Sequence, residues 1–262
     1  MNATTVGNPA IVSPQGSASA LRSYALEAKY EFLRVLRTPG AAVPTLLFPP
    51  LFYLLFGIVL NRGSAAAAHY LFASYSVFGL MAPSLFGFGV AVAIERERGW
   101  LALKRVAPMP PGAYLLAKLA MAMIFGVLIF AVLAAMAAGM AGVRMPVSQW
   151  LELAAIALLG VVPFCALGLM IGARASANAA PAFVNLIYLP MAFLSGLWMP
   201  LSMLPKVIGQ IAPAFPAYHL AQLALMTVGQ PSTGSVGYHL LWLAGFSAIC
   251  FATARRWLAR NA

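Results

Sequence analysis

Apolar positions along the chain gather into six blocks, 44–60, 71–94, 114–138, 151–173, 179–199 and 238–254, with short polar breaks between them. A helix needs about 20 mainly apolar residues to cross a hydrocarbon core roughly 30 Å thick, and each block is near that length. Inside a bilayer every backbone N–H and C=O must be satisfied within the span, so these blocks predict helices. The Gly and Pro residues inside them are compatible with that, because neighbouring helices satisfy the freed backbone groups. Gly168 and Gly172 form a Gly-x-x-x-Gly pair in the fourth block, and Ala134, Ala138 and Gly142 offer a small-residue face near the third. Both read as helix-packing surfaces.

Two segments depart from the spanning pattern. Over residues 19–37, Leu21, Tyr24, Ala25, Ala28, Phe32 and Val35 share one helical face, with Arg22, Lys29, Arg34 and Arg37 largely off it. This predicts an amphipathic helix lying in the membrane surface, although Glu27 and Glu31 weaken its attraction to anionic lipid. Between the last two blocks, Pro200, Pro205, Pro213 and Pro216 interrupt a stretch too polar to span, and a long structureless loop there would be unusual. We read it as a re-entrant pair of short helices, 204–212 and 218–227, within a segment of about 200–230. Residues 1–20 are rich in Ser, Ala, Gly and Pro and carry no charged side chain. They predict a disordered cytosolic tail ahead of one transmembrane domain, 21–262.

Composition agrees with an all-α polytopic membrane protein of six transmembrane helices: 63% of residues are hydrophobic and 8% charged, with a mean hydropathy of +0.90. The net charge of +11 forms no basic stripe with interleaved aromatics, so no nucleic-acid partner is expected. Cys165 and Cys250 lie far apart inside apolar blocks and read as small buried hydrophobes. The placement of charge gives the orientation. Thirteen of the sixteen Lys and Arg residues flank one side of the six blocks, against Arg62, Arg144 and Lys206 on the other. Both termini are therefore expected in the cytosol, with the chain in the cell (inner) membrane.

Chemistry concentrates in the loop after the second block, Glu95-Arg-Glu-Arg-Gly-Trp-Leu-Ala-Leu-Lys-Arg-Val-Ala-Pro-Met-Pro110. Glu95 and Arg98 stand three apart on one helical face, Gly99 permits a turn, and Trp100, Leu101 and Leu103 form an apolar patch beside Lys104 and Arg105, before Pro108, Pro110 and Pro111 end the helix. Such a short helix suits docking into a protein groove; anchoring in the headgroups is the competing reading.

The Glu-x-x-x-Gly spacing after the second of six spans resembles the permease subunits of type-2 ATP-binding cassette (ABC-2 type) exporters. So does the passage Tyr188-Leu-Pro-Met-Ala-Phe-Leu-Ser-Gly-Leu-Trp-Met-Pro-Leu-Ser-Met-Leu-Pro205, followed by Ile211-Ala-Pro and Pro216-Ala-Tyr218. The resemblance covers nearly the whole chain. It implies that residues 95–111 hold a coupling helix in which Glu95, Glu97, Arg98, Gly99, Leu101, Lys104 and Arg105 transmit the movement of a separate ATPase subunit. Trp100 and Ala102 stand where many relatives have Thr and Glu, so the acidic contact falls to Glu97 or Glu95. It further implies two ATPase copies, a second permease subunit forming a homodimer, and surrounding membrane lipid. None of the four lysines follows a glycine, so the chain has no Gly-Lys-[Ser/Thr] phosphate loop; ATP and Mg would sit on the partner subunit, and no cofactor is expected on this chain.

The cargo leaves no motif. Phe52 with Phe56 and Phe72 with Tyr75 are spaced to line an intersubunit path, or to pack in the core. No ionisable residue lies mid-span, which favours a hydrophobic or amphipathic cargo of drug, polyketide or lipid type over an ion; polysaccharide or lipo-oligosaccharide export is the alternative. Two rivals remain, a passive channel and an intramembrane serine protease built on Ser195-Gly196 and His239. Glu152 is expected in a first helical turn capped by Ser148, and His219 and His239 at the outer interface without metal-ligand spacing.

Overall fold

A computed structural model describes residues 17–61, 63–101, 103 and 112–260, and every regular element among them is helical. Helix α1, Ser17–Leu36, leads into α2, Pro39–Phe52, which widens into a π-helix, Tyr53–Val59. Pro49 and Pro50 withdraw two N–H donors just before that widening, and Leu60 N donates to Leu55 O, five residues back. Then come α3, Ala65–Phe88; α4, Val90–Glu97; α5, Ala113–Gly139; α6, Val147–Arg174; and α7, Ala180–Leu194. Two short helices, α8 (Lys206–Ile211) and α9 (Pro216–Thr227), precede α10, Val236–Arg260.

Five of these segments are long and apolar enough to cross a membrane; α7 is apolar but only 15 residues long. The block expected to run to 199 stops at Leu194, because the chain turns at Gly196 with φ +78°, and Tyr70 donates to the Gly196 carbonyl at 2.6 Å. The tail expected over 1–20 lies outside the described residues up to 16, and its last four positions already belong to α1.

The bundle is organised around α3, every residue of which from Leu71 to Leu85 is buried. Its break at Gly89 is held against α6. A Cβ at Gly172 would meet the carbonyls of Gly89 and Phe88 at 2.5 and 2.6 Å, and one at Gly168 would meet Leu85 O at 3.0 Å. The Gly-x-x-x-Gly pair thus lets backbone approach backbone, as expected. Ala134 and Ala138 are half-buried, and Gly142 is exposed in the turn after α5. Helix α10 buries only His239, Leu243, Cys250 and Ala254, a single seam, and turns its remaining faces outward. Gly112 and Leu115 at the start of α5, Leu169 late in α6 and Phe251 late in α10 line one cleft, so these ends lie together at one end of the bundle.

Ser148 does not cap α6, since the helix begins at Val147 behind Pro146 and Ser148 is already inside it; Glu152 is exposed. The proline supplies a fixed φ where a hydroxyl cap was expected.

Candidate functional site

Four charged side chains from three helices meet at the end of the bundle where α4 runs into the loop. Glu31 and Arg34 come from α1, Glu95 from α4 and Lys118 from α5. The Lys118 ammonium lies 2.5 Å from Glu31 Oε1 and 3.0 Å from Glu95 Oε1, and is fully buried. Arg34 reaches Glu31 through Nη2 at 2.7 Å and Glu95 through Nη1. Two carboxylates and two cations cancel, which is how a charge group survives burial. Lys118 also stands 5.1 Å from the centre of the Tyr114 ring. Burial opposes the Arg34 charge, but the carboxylates of Glu31 and Glu95 outweigh it and hold the guanidinium above its ordinary proton affinity.

The next residue ties the loop to a second helix. Arg96 donates to the carbonyls of Ala173 and Ala175, the latter at 2.7 Å, placing a cation on the C-terminus of α6. Residues 95 and 96 therefore anchor inward, while Glu97, Arg98, Gly99 and Trp100 are exposed. Gly99 takes φ +72°, and the Arg98 guanidinium lies 5.2 Å over the Trp100 ring. Leu101 is half-buried, and Lys104 and Arg105 lie outside the described residues, as do Ala102, Pro108, Pro110 and Pro111. Glu95 and Arg98 do not share a face, because α4 ends at Glu97 and Arg98 opens the turn; the carboxylate of Glu95 is enclosed rather than presented.

The aromatic positions separate as well. Phe72 and Tyr75 are completely buried, and Phe72 packs on Phe130 and Trp150 with ring centres 5.8 and 5.0 Å away. Phe52 and Phe56 are half-buried; Phe52 lies 5.6 Å from Trp198 and 5.9 Å from Phe56. The four do not line one open path within the protomer.

His219 and His239, expected singly at the outer interface, pair with each other. Their Nδ1 atoms are 2.8 Å apart, His219 Nε2 faces the Pro213 carbonyl at 2.9 Å, and His239 Nε2 faces the Thr233 carbonyl at 2.7 Å. Each ring nitrogen of the pair thus has a partner. Burial, opposed by the bond to Pro213 and aided by repulsion from His239, puts His219 below ordinary histidine. Both nitrogens of His239 are occupied in this way, so it offers no base to Ser195, and the protease reading has no catalytic pair. Among the described residues no three metal-ligating side chains cluster.

Two comparisons with known proteins bear on this arrangement. The sequence profile of the ABC-2 type transporter family matches residues 24–228. A protein of Bacillus subtilis (strain 168) that carries the name transport permease YvfS is 31% identical over 208 residues, covering 77% of this chain and 84% of the relative.

Proposed function

The chain belongs to the ABC-2 type transporter family, and from that premise we propose that it is the transmembrane subunit of an ATP-driven exporter, energised by a separate ATPase. The observation that carries this reading is the division of labour at the loop after α4. Glu95 and Arg96 fasten the base of the loop to α1, α5 and α6, while Glu97 to Trp100 project outward. A push on the exposed tip would pass through the charge cluster into three helices at once. Glu97, Arg98, Gly99 and Leu101, with Lys104 and Arg105, are the contacts we assign to the ATPase, and Glu95 becomes the residue that relays their movement inward.

In this reading residues 21–262 form one permease domain in the inner membrane, with α7 as a sixth, short crossing and both termini in the cytosol. Helix α1 lies at the cytosolic interface, and α8 and α9 dip into the outer leaflet without crossing it. Two such chains and two ATPase subunits make the transporter, with ATP and Mg held on the ATPases. The cargo is a hydrophobic or amphipathic molecule of drug, polyketide or lipid type. Purification of the tagged chain from its native membrane in mild detergent tests the partner directly. An ATPase subunit should accompany it, and Glu97→Lys should weaken that association; a folded chain with no ATPase and no ATP hydrolysis would refute the proposal.

A further inference from the structure

Helices α5 and α10 both pack on α6, and the space between them stays open. A cleft of about 480 Å³ lies there, with the buried Cys165, Ala166 and Leu169 of α6 as its floor and Leu116 of α5 and Phe251 of α10 at its sides. A second cleft, of about 400 Å³, continues between α6, α9 and α10. Val162 and Ser247 line both, so the two form one groove along α6 and α10.

The walls of this groove suit hydrocarbon. They carry no charged side chain, and their one hydroxyl, Ser247, donates to the Leu243 carbonyl of its own helix at 2.7 Å. Helices α5, α6 and α10 are each long and apolar enough to cross a membrane, so lipid chains and not water reach the space between them. From Leu240 to Phe251 the lining of α10 rises about 16 Å, close to the depth of one leaflet, about half of a core roughly 30 Å thick. At the Phe251 end the chemistry changes. Arg255 stands one turn further on the same face of α10, with Arg256 beside it. Both are exposed, neither forms an ion pair with a described residue, and α10 carries no acid.

We propose that the groove holds one acyl chain of an anionic phospholipid whose headgroup sits on Arg255 and Arg256. An apolar channel with two unanswered cations at one end matches the two parts of such a lipid. A second copy of the chain fits less well. In a shared membrane its exposed Glu152 lies near the start of α6, whereas the arginines stand beside Leu169, near the end of α6, so the charges cannot meet. The bound lipid also has a structural use. Helix α10 buries only a single seam, and an acyl chain in the groove joins it to α5. This lipid is a resident of the fold and not its cargo, so its binding needs no ATPase and does not rest on the exporter reading.

Native mass spectrometry of the full chain, released from detergent with dioleoylphosphatidylglycerol or dioleoylphosphatidylcholine added, tests the site. One phosphatidylglycerol should stay on each chain, and phosphatidylcholine should bind at least about tenfold more weakly. Arg255→Gln/Arg256→Gln should remove that preference, while Arg22→Gln/Arg37→Gln, at two exposed positions of α1, should keep it. Ala244→Trp/Ala248→Trp fills the groove from exposed positions and should abolish the retained lipid. Equal retention of the two lipids, or a preference that the α1 pair removes as well, would mean annular lipid only and would overturn the site. A folded tryptophan variant that keeps its phosphatidylglycerol would overturn it too. So would one that passes from dimer to monomer in size exclusion, since a second copy would then cover the groove. If the tryptophan variant fails to fold, the arginine variants decide alone.

Discussion

Replacing Lys118 by Met removes one charge from the buried cluster while keeping most of the side-chain volume. The remaining groups, Glu31, Glu95 and Arg34, then carry a net negative charge where the nearest cation, Arg34, is the one member with partial access to water. Deleting one partner of a buried, hydrogen-bonded charge group costs about 3–5 kcal/mol, because the other charge is left uncompensated. For a chain of this size each kcal/mol moves the midpoint by about 2–4 °C, so Lys118→Met should melt lower by roughly 6–20 °C. Arg34→Met should cost less, since solvent screens the vacancy it leaves. The decisive variant is the pair Lys118→Met/Glu95→Gln, which restores neutrality with Glu31 facing Arg34 and should recover a large share of the loss. Thermal melts of the parent, Lys118→Met, Arg34→Met, Glu95→Gln and the double variant, followed by size-exclusion in detergent, measure all of this. If Lys118→Met melts with the parent, or if the double variant loses the simple sum of the two single losses, the four residues do not act as one group and the relay through them has no basis.

A Cβ at Gly172 meets backbone carbonyls of Phe88 and Gly89 that cannot rotate away, so Gly172→Ala should cost about 1–3 kcal/mol, while Gly245→Ala, with nothing within 4 Å, should be neutral; melting curves of the two decide it. His219 has its proton affinity lowered in the fold, so the folded chain binds fewer protons there than the unfolded one. The stability it contributes is present above the ordinary histidine value of about 6.5 and is lost as pH falls through the lowered one. Protection of α9 against hydrogen exchange, taken relative to the intrinsic rate at each pH, should therefore fall between about pH 7.5 and 5 in the parent, and a His219→Phe/His239→Phe chain should show no such fall. Glu97 is exposed and ends α4, so Glu97→Lys should leave the melting temperature within about 2 °C of the parent, a surface effect of at most ~0.5 kcal/mol, while reducing cargo-stimulated ATP hydrolysis in the assembled transporter.

Legibility from the sequence followed the range of the interactions involved. The long apolar blocks became helices because burial in lipid leaves the backbone few alternatives, and Gly168 with Gly172 became a crossing because their spacing is itself the geometry of close approach. The end of α7 at Leu194 was not readable, since apolar residues continue to Met199 and what turns the chain is a tyrosine on α3, 126 residues away. Glu95 read as a surface charge because acids in loops usually are; only the approach of Lys118 and Arg34 from two other helices makes its burial tolerable. The histidine pair is likewise a tertiary product. Positions 219 and 239 are joined by a turn whose own bonds, Thr233 N to Gln222 and Thr233 to Tyr218, set the distance between their rings. One sign of it was in the sequence: two histidines near the starts of consecutive helices, among only three in the chain.

The central claim is that the loop after α4 receives movement from an ATPase and hands it inward through Glu95 and Lys118. The most direct measurement is cargo-stimulated ATP hydrolysis by the reconstituted transporter, comparing the parent with Lys118→Met/Glu95→Gln at a temperature where both are folded. The double variant should keep its ATPase bound and its basal hydrolysis, yet lose most of the stimulation by cargo. Full stimulation in that variant would contradict it.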